Sequence, residues 1–301
     1  MLIPPEWLDR LLFSPAGQAA AAALSDLTAV AAPVACVACG SVDCSLCPEC
    51  AAAVRRRTVH PFPAQDGAAA LPAAEQPPGL PRADHEDPLP VLAAGAYGGG
   101  LARILLAFKN RGHTDLTGFL VPILAGVLRA AAAQASLASG SERVVLVPVP
   151  GSAHSRRRRG YVPLALLMRA VKRRGLLPPE CSVLPLVRYR AALPALRGGC
   201  KGQRRTQKGL GSGGRRRNVR NTMAARRTGL RGLNCVVVDD VLTTGATVGE
   251  TVRALRAAGA HVWCAAVIAA TPAPARNTSP TSAVVTGAPP EGDGNGIEGR
   301  E

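Results

Sequence analysis

The sequence predicts an α/β fold, a mostly parallel sheet with helices on both faces, preceded by a small cysteine module. Three observations carry that expectation. From residue 88 onward, near-continuous runs of Val, Ile, Leu and Ala alternate with segments whose apolar residues recur at helical spacing. The strand-like runs lack the polarity of a sheet with one wet face, so both of their faces should be covered. One run, "CVVVDDV", ends in paired carboxylates followed by a Thr/Gly loop, at the edge where open parallel sheets bind ligands.

Residues 1–53 are expected to hold an N-terminal helix and the cysteine module, with five of the nine cysteines inside "CVACGSVDCSLCPEC". Paired C-x-x-C steps aim two thiolates at one cation, and two such pairs complete a closed tetrahedral site. This selects Cys36, Cys39, Cys47 and Cys50 as zinc ligands, with Cys44 as the alternative. Four thiolates leave no open position for substrate, so the zinc would be structural. Disulfides are the competing reading; they need a secretory context, and the opening stretch, interrupted by Pro4, Pro5, Glu6, Asp9 and Pro15, makes a poor signal peptide. Residues 54–88, rich in Pro and Ala without apolar periodicity, are expected to form a linker.

The main domain is expected over residues 89–270. It opens with a strand in "PVLAAGAY" and a short helix in "GGLARILLAFKN", which would bury Leu101, Ile104, Leu105 and Phe108. A longer helix follows in "LTGFLVPILAGVLRAAAAQASL", despite Pro122, then a strand in "RVVLVPVP", a helix in "PLALLMRAVKRRG" and a strand in "CSVLPLV". Beyond a long polar stretch come the strand "CVVVDDV", the helix "TVGETVRALRAAGA" and the strand "HVWCAAVIAA". Residues 271–301 have the Pro, Ser, Gly and Thr content of a disordered tail. No window offers about 20 unbroken apolar residues, so no membrane span is expected, and the cytoplasm is the expected location.

Charge is unevenly placed. Residues 151–231 hold 19 Arg and 3 Lys against the lone Glu180, or +21, leaving −5 for the rest of a chain whose net charge is +16. Such a block suits an anionic partner, either a phosphorylated small molecule or nucleic acid, while a merely solvated basic face is the plain alternative. With 3% aromatics, stacking platforms for single strands are scarce.

The stretch "CVVVDDVLTTGATVGE" is the most informative. Backbone N–H groups of Thr244, Gly245, Ala246 and Thr247 can converge on an anion where a helix begins, with the hydroxyls of Thr243, Thr244 and Thr247 assisting. The loop lacks the Gly-Lys-Ser/Thr ending of a nucleotide triphosphate loop. Asp239 and Asp240 then face another part of the ligand, and a vicinal diol suits two acceptors. A sugar carrying hydroxyls at one end and a phosphate at the other satisfies both halves. Magnesium binding alone, or helix capping, would explain the aspartates but not the threonines.

"VVVDDVLTTGAT" resembles the phosphoribosyl pyrophosphate (PRPP) signature of type I phosphoribosyltransferases, whose fold is Rossmann-like. The resemblance implies Asp239 and Asp240 as the catalytic pair at the ribose and Thr243 to Thr247 at the phosphate. The order of a cysteine knuckle, "LLAFKNRG", "VVLVPVP" with its arginines, "TQKGL", "RRRNVRN" and the PRPP signature is similar to the ComF family of competence-associated, phosphoribosyltransferase-like proteins. Where many of that family continue R-G-F-N-Q, this chain has Arg159, Gly160, Tyr161, Val162 and Pro163.

On the pyrophosphate side the candidates are Val149, Pro150, Gly151 and Ser152, which end a buried strand, with Arg156, Arg159 and Lys109 as cations. Magnesium would come with PRPP. The basic, glycine-punctuated stretch 188–221 suits an active-site lid or a nucleic-acid arm, and Gln207, Arg217 and Asn218 are its candidate contacts. Three functions remain open on these grounds: transfer of a phosphoribosyl group to an amine or base, sensing of PRPP or a nucleotide without turnover, and DNA handling with competence or recombination proteins as partners.

Overall fold

The computed structural model describes residues 34–76, 86–152, 159–190, 221–226 and 229–273. In chain order these form α1 (Pro48–Arg56), β1 (Phe62–Pro63), β2 (Val91–Ala96), α2 (Gly99–Asn110), α3 (Thr117–Ser139), β3 (Val144–Pro148), α4 (Pro163–Arg173), β4 (Cys181–Val183), β5 (Val187–Tyr189), β6 (Met223–Ala225), β7 (Asn234–Leu242), α5 (Ala246–Arg256) and β8 (His261–Ala270). The main sheet runs β1-β2-β8-β7-β3-β4; only the edge strand β1 is antiparallel to its neighbour.

The expected α/β class is what the chain adopts, and the strand sequences explain why. Along β7, Val236 and Val238 enter one apolar layer while Cys235 and Val237 enter the other, because successive side chains of a strand point to opposite faces. Both faces must therefore be covered. Helices α2, α3 and α4 pack one of them through Leu105, Phe108, Leu120, Leu124 and Leu167, all fully buried. Helix α5 covers the other with Val248, Val252 and Leu255, joined by Met223 of β6. Each such side chain contributes about 1.5–3 kcal/mol on leaving water. The four residues expected on the inner face of α2, Leu101, Ile104, Leu105 and Phe108, are all buried.

The helical stretch Thr114–Ser139 is long and apolar enough to cross a membrane by length and composition, yet it packs on β8 and α4 as a core helix of this fold.

Two expectations need correction. Residues 54–76 do not run as a loose linker. Helix α1 extends to Arg56, β1 adds to the sheet edge, and residues 68–74 thread beneath the loop that precedes α5: Ala70 N–H donates to Thr244 O at 2.9 Å, and Arg256 Nη1 donates to Ala73 O at 2.9 Å. Low apolar periodicity hid this, since the docking uses backbone groups and small residues. The run "CSVLPLV" is not one strand but two. Pro185 has no N–H to give a ladder, so β4 stays in the main sheet while β5 turns away to pair with β6 as a separate two-stranded ribbon. The expected N-terminal helix and all but the first three residues of the expected tail lie outside the described residues.

Candidate active site and candidate metal centre

In a parallel sheet, the carboxyl ends of all strands share one edge. Here the ends of β2, β3 and β7 meet around a cleft of about 480 Å³. The β7 strand delivers Asp239 and Asp240 to it, and Thr243 of the following loop and Thr247 in the first turn of α5 line it as well. From β3 come Val149, Pro150, Gly151 and Ser152. That loop is pinned to the aspartate strand, since Val149 N–H donates to Val238 O at 2.9 Å. A side chain at Gly151 would meet Val162 at 2.7 Å, so the close approach of the two loops depends on its absence.

The aspartates differ. Asp239 is 9% exposed; burial first, and then the neighbouring Asp240 carboxylate, push its pKa well above the usual carboxylate range. Its Oδ1 accepts the Asp240 N–H at 2.8 Å, which fixes the carboxylate's orientation. Asp240 is paired with Lys109 Nζ at 2.8 Å. Helix α2 makes that pairing possible: Leu105 and Phe108 anchor it in the core, and Lys109 at its last turn reaches across to β7. Arg159 Nη2 donates to Asn110 Oδ1 at 3.0 Å, setting a second cation at the cleft.

The loop ahead of α5 turns at Gly245, whose φ of 79° favours glycine. A Cβ there would also lie 2.9 Å from the Leu71 side chain, so the segment 68–71 braces the loop from below. Thr244, Gly245 and Ala246 shape the turn without lining the cleft wall, whereas Thr243 and Thr247 do both. Glu250, 4% exposed, holds the far side of α5 to β6: it accepts the Met223 N–H at 3.0 Å and binds Arg253 twice at 2.8 Å. Burial alone would raise its pKa, but Arg253 and the backbone N–H groups of Met223 and Asn221 outweigh it and lower the value.

The sequence reading therefore has most of its candidates in one place. Asp239, Asp240, Thr243, Thr247, Lys109, Arg159 and the loop 149–152 share the cleft. Arg156, Gln207, Arg217 and Asn218 lie outside the described residues. Tyr97, Asn110, Tyr161 and Tyr189 were missed. Tyr97 was findable, because it ends a parallel strand on the ligand edge. Tyr161 donates its hydroxyl to Phe108 O, packing edge-on against the Phe108 ring, and Tyr189 arrives on the separate ribbon. Burial first and then Asp239 raise the Tyr189 pKa, so its hydroxyl stays protonated near neutral pH.

The cysteine module folds against α2, where Arg103 donates to Ala38 O. The Sγ atoms of Cys36, Cys39, Cys47 and Cys50 all lie within 4.8 Å of one another, with Cys39 and Cys47 at 3.7 Å. A tetrahedral ion with Zn–S bonds of about 2.3 Å needs sulfurs roughly 3.8 Å apart, so these four thiols could hold a metal such as zinc. Cys44 stands outside the quartet. Burial disfavours the Cys36 thiolate, but N–H groups of Cys47, Ala38 and Cys39 more than offset it and bring the thiol down to about 6. Cys47 N–H donates to Cys36 Sγ at 3.4 Å.

An open, mostly parallel sheet with an acidic pair, a threonine loop and facing cations at one carboxyl edge defines an α/β protein with a cleft for a polar, anionic ligand. Residues 203–286 match the family model described as phosphoribosyl transferase domain, and the match spans β6 through β8 with the aspartates and the threonine loop inside it. This supports the type I phosphoribosyltransferase family and a phosphoribosyltransferase-like activity. No curated protein matches the chain.

Proposed function

We propose that this protein binds PRPP with magnesium in the cleft and transfers its phosphoribosyl group to an amine or base. The observation that supports this most is the grouping of Asp239, Asp240, Thr243, Thr247, Lys109 and Arg159 around one cleft of about 480 Å³, large enough for a sugar phosphate. Asp239 and Asp240 accept hydrogen bonds from the ribose hydroxyls, and the loop 243–247 holds the 5′-phosphate at the start of α5. The backbone of residues 149–152 faces the pyrophosphate, with Lys109 and Arg159 as its cations. Binding of the diol displaces Lys109 from Asp240 and frees its ammonium group for the pyrophosphate.

The reaction follows from where charge develops. As the C1–O bond to pyrophosphate lengthens, positive charge grows on the ribose beside the carboxylates and negative charge on the leaving group beside Lys109 and Arg159. The acceptor nitrogen forms the new bond to C1 and releases a proton to solvent. Magnesium, when bound with PRPP, neutralises part of the pyrophosphate charge. The cysteine module, holding zinc, would brace α2 and so the position of Lys109. A cytoplasmic setting, where thiols stay reduced, suits that zinc site. The ComF-like order of motifs agrees with this reading.

Turnover of isotope-labelled PRPP against a panel of nucleobases and amines tests the proposal. Release of labelled pyrophosphate with one acceptor, lost in Asp239→Asn/Asp240→Asn, is the expected result. Binding of PRPP without release by any acceptor would leave a sensor and remove the transferase.

A further inference from the structure

A second cleft, of about 550 Å³, lies between the β5–β6 ribbon and the carboxyl end of α5. Arg190, Arg231, Arg253 and Arg256 rim it, and no acidic residue is among its described lining residues. Its other described lining residues are small, including Ala224, Ala225, Ala254 and Gly259. Two of them converge on a single acceptor: Arg190 Nε lies 3.3 Å and Arg253 Nη2 2.8 Å from Met223 O. Like charges brought to one carbonyl repel, and Glu250 offsets only Arg253. Glu75, 2.8 Å from Arg256 Nε, offsets Arg256. Arg190 and Arg231 are both exposed, and neither takes part in an ion pair among the described residues.

We infer that this cleft is a binding site for an oligophosphate anion, separate from the candidate active site. Guanidinium forks match phosphate oxygens in pairs, and an anion between Arg190, Arg231 and Arg253 relieves the repulsion that the empty arrangement carries. Among the described lining residues there is no aromatic face on which a base could stack, so the charged tail is the group recognised. A concave cleft of this size fits a compact anion better than an extended nucleic-acid backbone. The site also touches the active one. Tyr189 lines the first cleft and Arg190 the second, because neighbouring residues of an extended chain point to opposite sides. An anion held at Arg190 therefore sits one residue away from a side chain of the first cleft.

The probes are inorganic pyrophosphate and ATP, without magnesium, titrated calorimetrically into the full chain. Lys109→Gln/Arg159→Gln removes the cations placed on the pyrophosphate side of the first cleft, and this variant should still bind one equivalent of pyrophosphate. Adding Arg190→Ala/Arg231→Ala should weaken that binding at least tenfold at 0.1 M salt. Should that combination fold poorly, Arg231→Gln in the same background, with its side chain in solvent, should weaken binding at least threefold. ATP binding with the same arginine dependence and higher affinity identifies a nucleotide as the source of the oligophosphate; equal affinities identify the inorganic anion. Unchanged affinity in the arginine variants, or binding of a 20-nucleotide single strand with no binding of either probe, would overturn the site.

Discussion

Replacing Asp239 with Asn separates the demands of the cleft from those of the fold. The buried Asp239 carboxylate carries a raised pKa, caused first by burial and then by Asp240, so its ionised form is held against its environment. The folded state binds this proton more tightly than the unfolded state does. Stability from this group is therefore greatest below the unfolded carboxylate value of about 3.9 and falls as pH rises through the raised folded value. Asn keeps an oxygen for the Asp240 N–H, a 2.8 Å contact, and removes the charge. Relief of a strained functional group is commonly worth about 0.5–2 kcal/mol. With a shift of about 2–4 °C per kcal/mol for a domain of this size, the thermal midpoint of Asp239→Asn at pH 7 should rise by about 1–8 °C. The gain should vanish near pH 3. Affinity for ribose 5-phosphate should fall at the same time, by about 1–3 kcal/mol for a lost charge-assisted hydrogen bond. Thermal melts by circular dichroism at pH 3, 5 and 7, in ligand-free and magnesium-free buffer, measure the stability. A midpoint that drops at pH 7, or a gain equal at all three pH values, would refute the reasoning.

Three other perturbations probe the frame around the cleft. Cys36→Ser or Cys47→Ser should abolish a one-to-one zinc content, measured by elemental analysis after anaerobic preparation, and lower the thermal midpoint, as a structural metal requires. Glu250→Gln should cost about 1–3 kcal/mol in urea unfolding at pH 7, because it weakens the tie between Met223 and Arg253. Glu250 has a lowered folded pKa, so its contribution is present above about pH 4.3 and is lost as pH falls through the folded value; the difference from the variant should shrink in acid. Gly249→Ala would place a Cβ 2.7 Å from Ala70 O, and should cost about 1–3 kcal/mol in the same assay if residues 68–74 are built into the domain.

The strands and helices of the main domain were legible because each writes its environment into its period. β7 reads as unbroken Val because both of its faces are covered, and α2 shows its inner face as Leu101, Ile104, Leu105 and Phe108. The aspartates and threonines were legible because ligand chemistry fixes residue types at short spacing along one strand and its loop. What the sequence hid depends on distant chain segments. No local pattern says that residues 68–71 would support Gly245 across more than 170 positions, or that Lys109 would pair with Asp240. Tyr189 was hidden for the same reason: its place follows from the break at Pro185, which sends β5 out of the main sheet to pair with β6.

The central claim is that the edge of β7 and its loop grip a sugar phosphate. Calorimetric titration of PRPP, with magnesium, into the wild type and into Thr243→Val/Thr247→Val tests it most directly. The account predicts one PRPP bound per wild-type chain and an affinity at least tenfold lower in the variant, while an unphosphorylated riboside distinguishes the two proteins by less than twofold. A wild-type protein that binds neither PRPP nor a nucleoside monophosphate at millimolar concentration would contradict it.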